Sequence, residues 1–146
     1  MLLCDAAEAI NGKLYILGGG WSVIGPEPAP SALAIRLEVP WTDANKRIPV
    51  LVELLTQDGT PVMVDDPLGN PQPVLASLEL EVGRPPGVKP GTPLDATVAF
   101  GIPPLPLRPG SRYAWRLTID GESKEHWQAG FSTRELPPGT INPGKA

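Results

Sequence analysis

One cysteine and one histidine, Cys4 and His126, are the residues of this chain best suited to nucleophilic chemistry. A histidine beside a cysteine takes the thiol proton and leaves a thiolate at neutral pH. The two stand far apart in sequence, and each has a plainer role. Cys4 lies in an apolar stretch, where a free thiol packs as a small hydrophobe, and His126 alternates onto the face opposite Trp127, toward solvent. No catalytic residue is therefore expected. Asp58, Asp65, Asp66 and Asp95 fall in or beside expected loops, and loop carboxylates can gather around calcium. Calcium asks for six to eight oxygens, and no spacing here matches a calcium loop. The aspartates read as turn formers, and no metal or cofactor is expected. Gly18-Gly19-Gly20 lacks the Lys-Ser/Thr of a phosphate loop and leads into no helix, so it reads as a flexible passage between sheets. The remaining candidates are Trp21 and Trp41, at strand ends or in loops. An indole left partly exposed there stacks on a sugar ring or anchors a partner protein; otherwise it plugs the open end of a sandwich.

The frame that must position these groups follows from composition and periodicity. With 146 residues the chain suits one domain with one core. It is 41% hydrophobic and 19% charged, too apolar for a disordered chain, so its 20 Pro and 16 Gly must sit mainly in turns. Breakers at that density leave little room for helices and favour many short strands. The net charge of −4, with the 12 Lys and Arg scattered, disfavours nucleic acid as a partner. A single Cys excludes an internal disulfide and points to a reducing compartment, with the cytoplasm as the expected location. The start Met1-Leu2-Leu3-Cys4-Asp5 has neither a basic nor an apolar region ahead of Cys4, and no apolar run of about 18 residues exists, so no membrane anchor is expected.

The clearest elements are two alternating runs, 111–119 and 123–133, joined by Asp120-Gly121-Glu122. Tyr113, Trp115, Leu117 and Ile119 share one side of the first; Glu125, Trp127, Ala129 and Phe131 share one side of the second. That is strand periodicity, and an Asp-Gly between such runs signals a hairpin whose aromatic face must be buried against a second sheet. Trp115 and Trp127 are read as core. Asn11-Gly12 signals another hairpin, between an apolar run 1–9 and a strand 12–18 in which Leu14 and Ile16 lie opposite Tyr15 and Leu17. Leu33, Ile35, Leu37 and Val39 alternate with Ala34, Arg36 and Glu38. Residues 48–56 are apolar on both faces, as in a central strand covered on two sides. Residues 61–64 read as a short edge strand and 65–73 as an irregular loop; 74–82 and the row Leu94, Ala96, Val98 and Phe100 complete the set. About eight or nine strands are expected. They imply an all-β, single-domain antiparallel sandwich, immunoglobulin-like or C2-like, over residues 1–135, followed by a Pro/Gly-rich tail over 136–146.

The stretches 2–8 (LLCDAAE), 11–21 (NGKLYILGGGW), 39–42 (VPWT) and 83–87 (GRPPG) together resemble a family of uncharacterised small bacterial proteins. The resemblance implies a compact β-sandwich of unknown function and supplies no catalytic residues. With no catalytic set in view, the expected role is a non-enzymatic module acting through protein contact or self-assembly, since a sandwich leaves edge strands able to pair with another chain. The alternative is a small-ligand or carbohydrate module built on Trp21 and Trp41. Within the tail, Ile141 is the expected anchor in a groove on another copy of the chain, and deleting 137–146 is expected to weaken assembly while leaving the fold intact.

Overall fold

The computed structural model describes residues 1–140. Its elements are β1 (Leu2–Ile10), β2 (Lys13–Gly19), β3 (Val23–Ile24), β4 (Ser31–Val39), β5 (Arg47–Thr56), β6 (Met63–Asp65), β7 (Pro71–Pro73), β8 (Leu75–Glu81), β9 (Leu94–Ile102), β10 (Arg112–Ile119) and β11 (Gln128–Thr133), with one 3-10 turn at Trp41–Asp43. One sheet has the order β2-β1-β4-β9, the other β3-β11-β10-β5-β8, and β6 pairs with β7 alone. All pairings are antiparallel except β11 with β3. The chain is an all-β sandwich of two antiparallel layers.

Alternation puts the expected rows inside. Leu33, Ile35, Leu37 and Val39 of β4 and Leu94, Ala96, Val98, Phe100 and Ile102 of β9 face Val50, Val52 and Leu54 of β5, and with them Tyr113, Trp115, Leu117 and Phe131. Burying each large side chain stabilises the fold by about 1.5–3 kcal/mol, which makes this shared core the dominant favourable term. Three hydrogen bonds lock the start of β10: the Arg108 N–H donates to the Tyr113 hydroxyl at 3.0 Å, and the buried Thr133 hydroxyl accepts from the Ser111 N–H at 3.0 Å and donates to the Arg108 carbonyl.

Several expectations are refined. Among the described residues there are eleven strands rather than eight or nine, because β3 and β7, two and three residues long, are too short to show a period; the short edge strand expected at 61–64 is β6, shifted to Met63–Asp65. The stretch 65–73, read as an irregular loop, closes the small β6–β7 hairpin, whose turn the Asp66 carboxylate holds. The run 123–133 forms a strand only from Gln128. The chain turns tightly at Asp120 (φ 50°) and Gly121 (φ 77°), bridges Ile119 to Glu122, then bulges through Ser123, which donates to the Leu117 carbonyl, before regular pairing resumes at Arg116 with Gln128. Glu125 consequently lies outside the strand. Trp127 rests half-buried at the core margin, with the Lys124 ammonium 5.0 Å from its ring centre, and is not core as expected. Ala34, expected on the open face of β4, is buried together with Ala32, because the β1–β2 hairpin covers that face.

Candidate functional site

β1 starts as a regular neighbour of β4, pairing Leu2, Leu3 and Cys4 with Ala34, Leu33 and Ala32. There β4 runs out, since it begins at Ser31 and Pro30 before it has no N–H to donate. From Asp5 onward β1 has β2 as its strand partner, and the six β1–β2 register pairs run from Cys4 with Gly19 to Ile10 with Lys13. The Asn11-Gly12 turn closes the hairpin with both residues at positive φ, 52° and 73°. The chain returns where it left: the Gly20 N–H donates to the Leu3 carbonyl at 2.8 Å.

At its base the hairpin bends. Gly18 has φ +58°, and a Cβ there would lie 2.1 Å from Asp5 Oδ2, so only glycine lets the carboxylate lie over the opposite strand. The same carboxylate accepts from the Trp21 indole N–H at 3.1 Å, which ties the bend to the end of the sandwich. Bent this way, the hairpin lays Ala7 and Leu14 on Cys4, Ala32 and Ala34, whose small side chains permit the approach, and β1 and β2 both reach β9 past β4. The remainder meets solvent. Leu17 is 72% exposed, Tyr15 56% and Ile10 45%, and Leu2 and Ile16 are also exposed. These are five of the nine large apolar side chains exposed among the described residues, all on one hairpin. The signal in the sequence was strand 12–18 itself, apolar on both faces with a single charge, Lys13; a strand covered on one side leaves such a face bare.

Trp21 and Trp41 are both half-buried but do not share a site. Trp21 precedes β3 beside the start of β4, and Trp41 follows the end of β4. Nine residues of extended chain separate the two ends by roughly 25 Å. Trp21 packs edge-on against Phe131, with ring centres 6.0 Å apart, over a cavity of about 30 Å³, room for one water. It plugs its end. At the other end Trp41 lines an open groove of about 480 Å³ with Glu38, Pro40, Thr42, Gly91 and Pro93. The Arg84 guanidinium sits 4.6 Å from the Trp41 ring centre and donates to its carbonyl at 2.9 Å.

The other candidates separate as well. Cys4 is fully buried under the hairpin, its thiol directed at the Ala32 carbonyl at 3.4 Å, and burial, with Asp5 adding to it, pushes the thiol pKa up. His126 lies exposed in the bulge of the opposite sheet, against Trp127. A raised pKa beneath a hairpin is the reverse of what a thiolate nucleophile needs. Asp66 accepts from the Leu68 and Asn70 backbone N–H groups at 2.8 and 2.9 Å, bonds that hold its carboxyl below the usual range and commit its oxygens to the turn. Asp95 pairs with Arg36. Among the described residues no three His, Cys, Asp or Glu gather as a metal site would need. Gly18 and Gly19 belong to β2, and Gly20 closes the hairpin. Ile141 lies outside the described residues.

The fold and this surface define a class: an all-β sandwich carrying a bent, apolar N-terminal hairpin. A family model described as a family of unknown function (DUF6941) matches residues 1–129, and the chain belongs to that family. Neither a curated protein nor a solved structure matches it. Among the described residues no helix is long and apolar enough to cross a membrane.

Proposed function

We propose that this protein is a non-enzymatic module that works by protein contact, with the solvent face of the β1–β2 hairpin as its contact surface. One observation carries the reading: Ile10, Tyr15 and Leu17 stand exposed side by side on a strand pair that contributes little to the shared core. A contiguous exposed apolar patch of this kind marks an interaction site, whereas isolated exposed apolar residues need no explanation. The strand order also supports an immunoglobulin-like topology. In that reading β1, β4 and β9 are the first layer, and β11, β10, β5 and β8 the second. The parallel β3–β11 pair is then the first strand crossing to the second layer, and the Tyr113 hydroxyl bond at the start of β10 is the corner such folds use. A single buried thiol fits the reducing cytoplasm.

The test is a photo-reactive side chain placed at Leu17 in cells, with the same group at the exposed Gln57, in the turn after β5, as control. Defined protein adducts at 17, lost when Tyr15→Lys is added, are expected. Adducts no more frequent at 17 than at 57 would overturn the proposal. A second reading, a small-ligand or carbohydrate module, rests on Trp41 alone, because its groove is open where that of Trp21 is closed. Titrating glycans and metabolites against Trp fluorescence in wild type and Trp41→Phe tests it, and a signal indifferent to the substitution would end it.

A further inference from the structure

We infer that the partner at this hairpin is a second copy of the chain, added antiparallel along the free edge of β2 about a two-fold axis at Tyr15. The inference rests on the contact reading above and names the occupant.

The argument starts from the edges. Four strands end the two main sheets, β2, β9, β3 and β8, and β1 past Cys4, where β4 no longer pairs with it, is a further open edge that carries Asp5 and Glu8. β3 is two residues long with Pro26 close behind it; β8 carries Glu79 and Glu81; β9 has Asp95 near its start and is flanked by Pro93 and by Pro103-Pro104. Charges, prolines and shortness are the usual guards against edge pairing. β2 has none of these along Leu14, Tyr15, Ile16 and Leu17.

The geometry of the hairpin gives the register. A two-residue turn closes on a pair that exchanges both backbone hydrogen bonds, here Ile10 with Lys13. Bonded and non-bonded pairs then alternate, so Ala9–Leu14 and Ala7–Ile16 are non-bonded, and the N–H and C=O of Leu14 and Ile16 point away from β1 toward the open side. Pairing Leu14 with Ile16 of a second copy, and the reverse, satisfies all of these groups with about four hydrogen bonds. The positive φ of Gly12 and of Gly18 bounds the extended segment at 13–17, and a two-fold axis at its middle residue, Tyr15, uses every position of it.

Charge does not oppose the pairing. Lys13 is the only charged side chain on β2, and this register places it opposite Leu17 of the second copy and about 13 Å along the strand from the second Lys13, so no like charges face each other across the seam. The exposed Tyr15 and Leu17 of both copies meet in one apolar strip. The result is an isologous interface, the arrangement of most homodimers.

Cysteine crosslinking reads the register directly. At the axis, Tyr15→Cys brings two thiols together in a non-bonded pair with Cα atoms about 4.5 Å apart, within disulfide reach. Lys13→Cys sets its two thiols about 13 Å apart along the strand. Native Cys4 is buried and stays out of the reaction. Under mild oxidation Tyr15→Cys is expected to form a covalent dimer at least tenfold faster than Lys13→Cys alone. Mixing Lys13→Cys with Leu17→Cys chains, which tests the same register without touching Tyr15, is expected to give the heterodimer. In sedimentation, wild type is expected to dimerise and Tyr15→Lys to weaken the dimer at least tenfold, with an unchanged circular dichroism spectrum. A wild type that sediments as a monomer at every concentration, or equal crosslinking by the two single variants, would overturn the inference. If the Leu17 photo-adducts contain a different protein while wild type stays monomeric, the contact reading stands and the self-pairing fails.

Discussion

Two hairpins in this molecule are written in nearly the same local code and meet opposite fates. β1–β2 and β10–β11 both set alternating apolar runs around an Asn-Gly or Asp-Gly turn, and the turn residues have nearly the same backbone, φ 52° and 73° in one, 50° and 77° in the other. In β10–β11 the apolar row is buried, with Trp115 only 2% exposed, because β5 and β3 flank the pair and the other sheet lies across it. In β1–β2 the row from Ile10 to Leu17 faces water, because the pairing with β4 stops after three register pairs and, among the described residues, no third layer lies above. Local pattern decides that a strand pair forms and which residues share a face. What lies opposite that face decides whether it becomes core or contact surface.

Substitution separates the two. Trp115→Ala empties the middle of the shared core and is expected to cost about 3–5 kcal/mol in denaturant unfolding. A loss near that of a surface change would place the core elsewhere. Next are the glycines. Gly18→Ala combines left-handed strain with a collision against Asp5 and frees the Trp21 indole, about 2 kcal/mol in all, whereas Gly121→Ala meets no atom within 4 Å and costs about 1 kcal/mol from strain alone. The diagnostic difference is at Cys4. Unseating the hairpin should speed iodoacetamide labelling of native Gly18→Ala but not of Gly121→Ala, and equal rates would mean that the bend does not hold the cover down.

Tyr15→Lys should change stability by no more than about 0.5 kcal/mol while removing the adducts expected from a photo-reactive group at position 17. A cost approaching that of Trp115→Ala would show that the face is buried in the free protein. The smallest effect belongs to the third hairpin, β6–β7, held by a carboxylate. Asp66 is held below its ordinary pKa by backbone N–H donors, so its support for the turn is complete above that ordinary value and is lost as pH falls through the lower folded value. Amide shifts of Leu68 and Asn70 should titrate together in acid and stop doing so in Asp66→Asn.

By itself the sequence determined the all-β layering, the inward rows of β4, β9 and β10, and the Asn11-Gly12 and Asp120-Gly121 turns, because period two and positive-φ residues act over a few neighbours, whereas 48–56, apolar on both faces, left the inward face of β5 to the tertiary structure. The Asp66 turn lies inside a stretch read as irregular, because strands of three residues are shorter than any period they might show. Only the tertiary structure decided that Trp21 and Trp41 occupy opposite ends, that Cys4 and His126 sit on different sheets, and that Ala32 and Ala34 are roofed while Tyr15 and Leu17 are not. Each of these depends on where a distant strand stops. β4 starts at Ser31, so β1 outruns it at Asp5, and no residue of the 2–21 stretch carries that information. An apolar side chain states only that it gains by leaving water, and the rest of the fold supplies or withholds the surface that removes it.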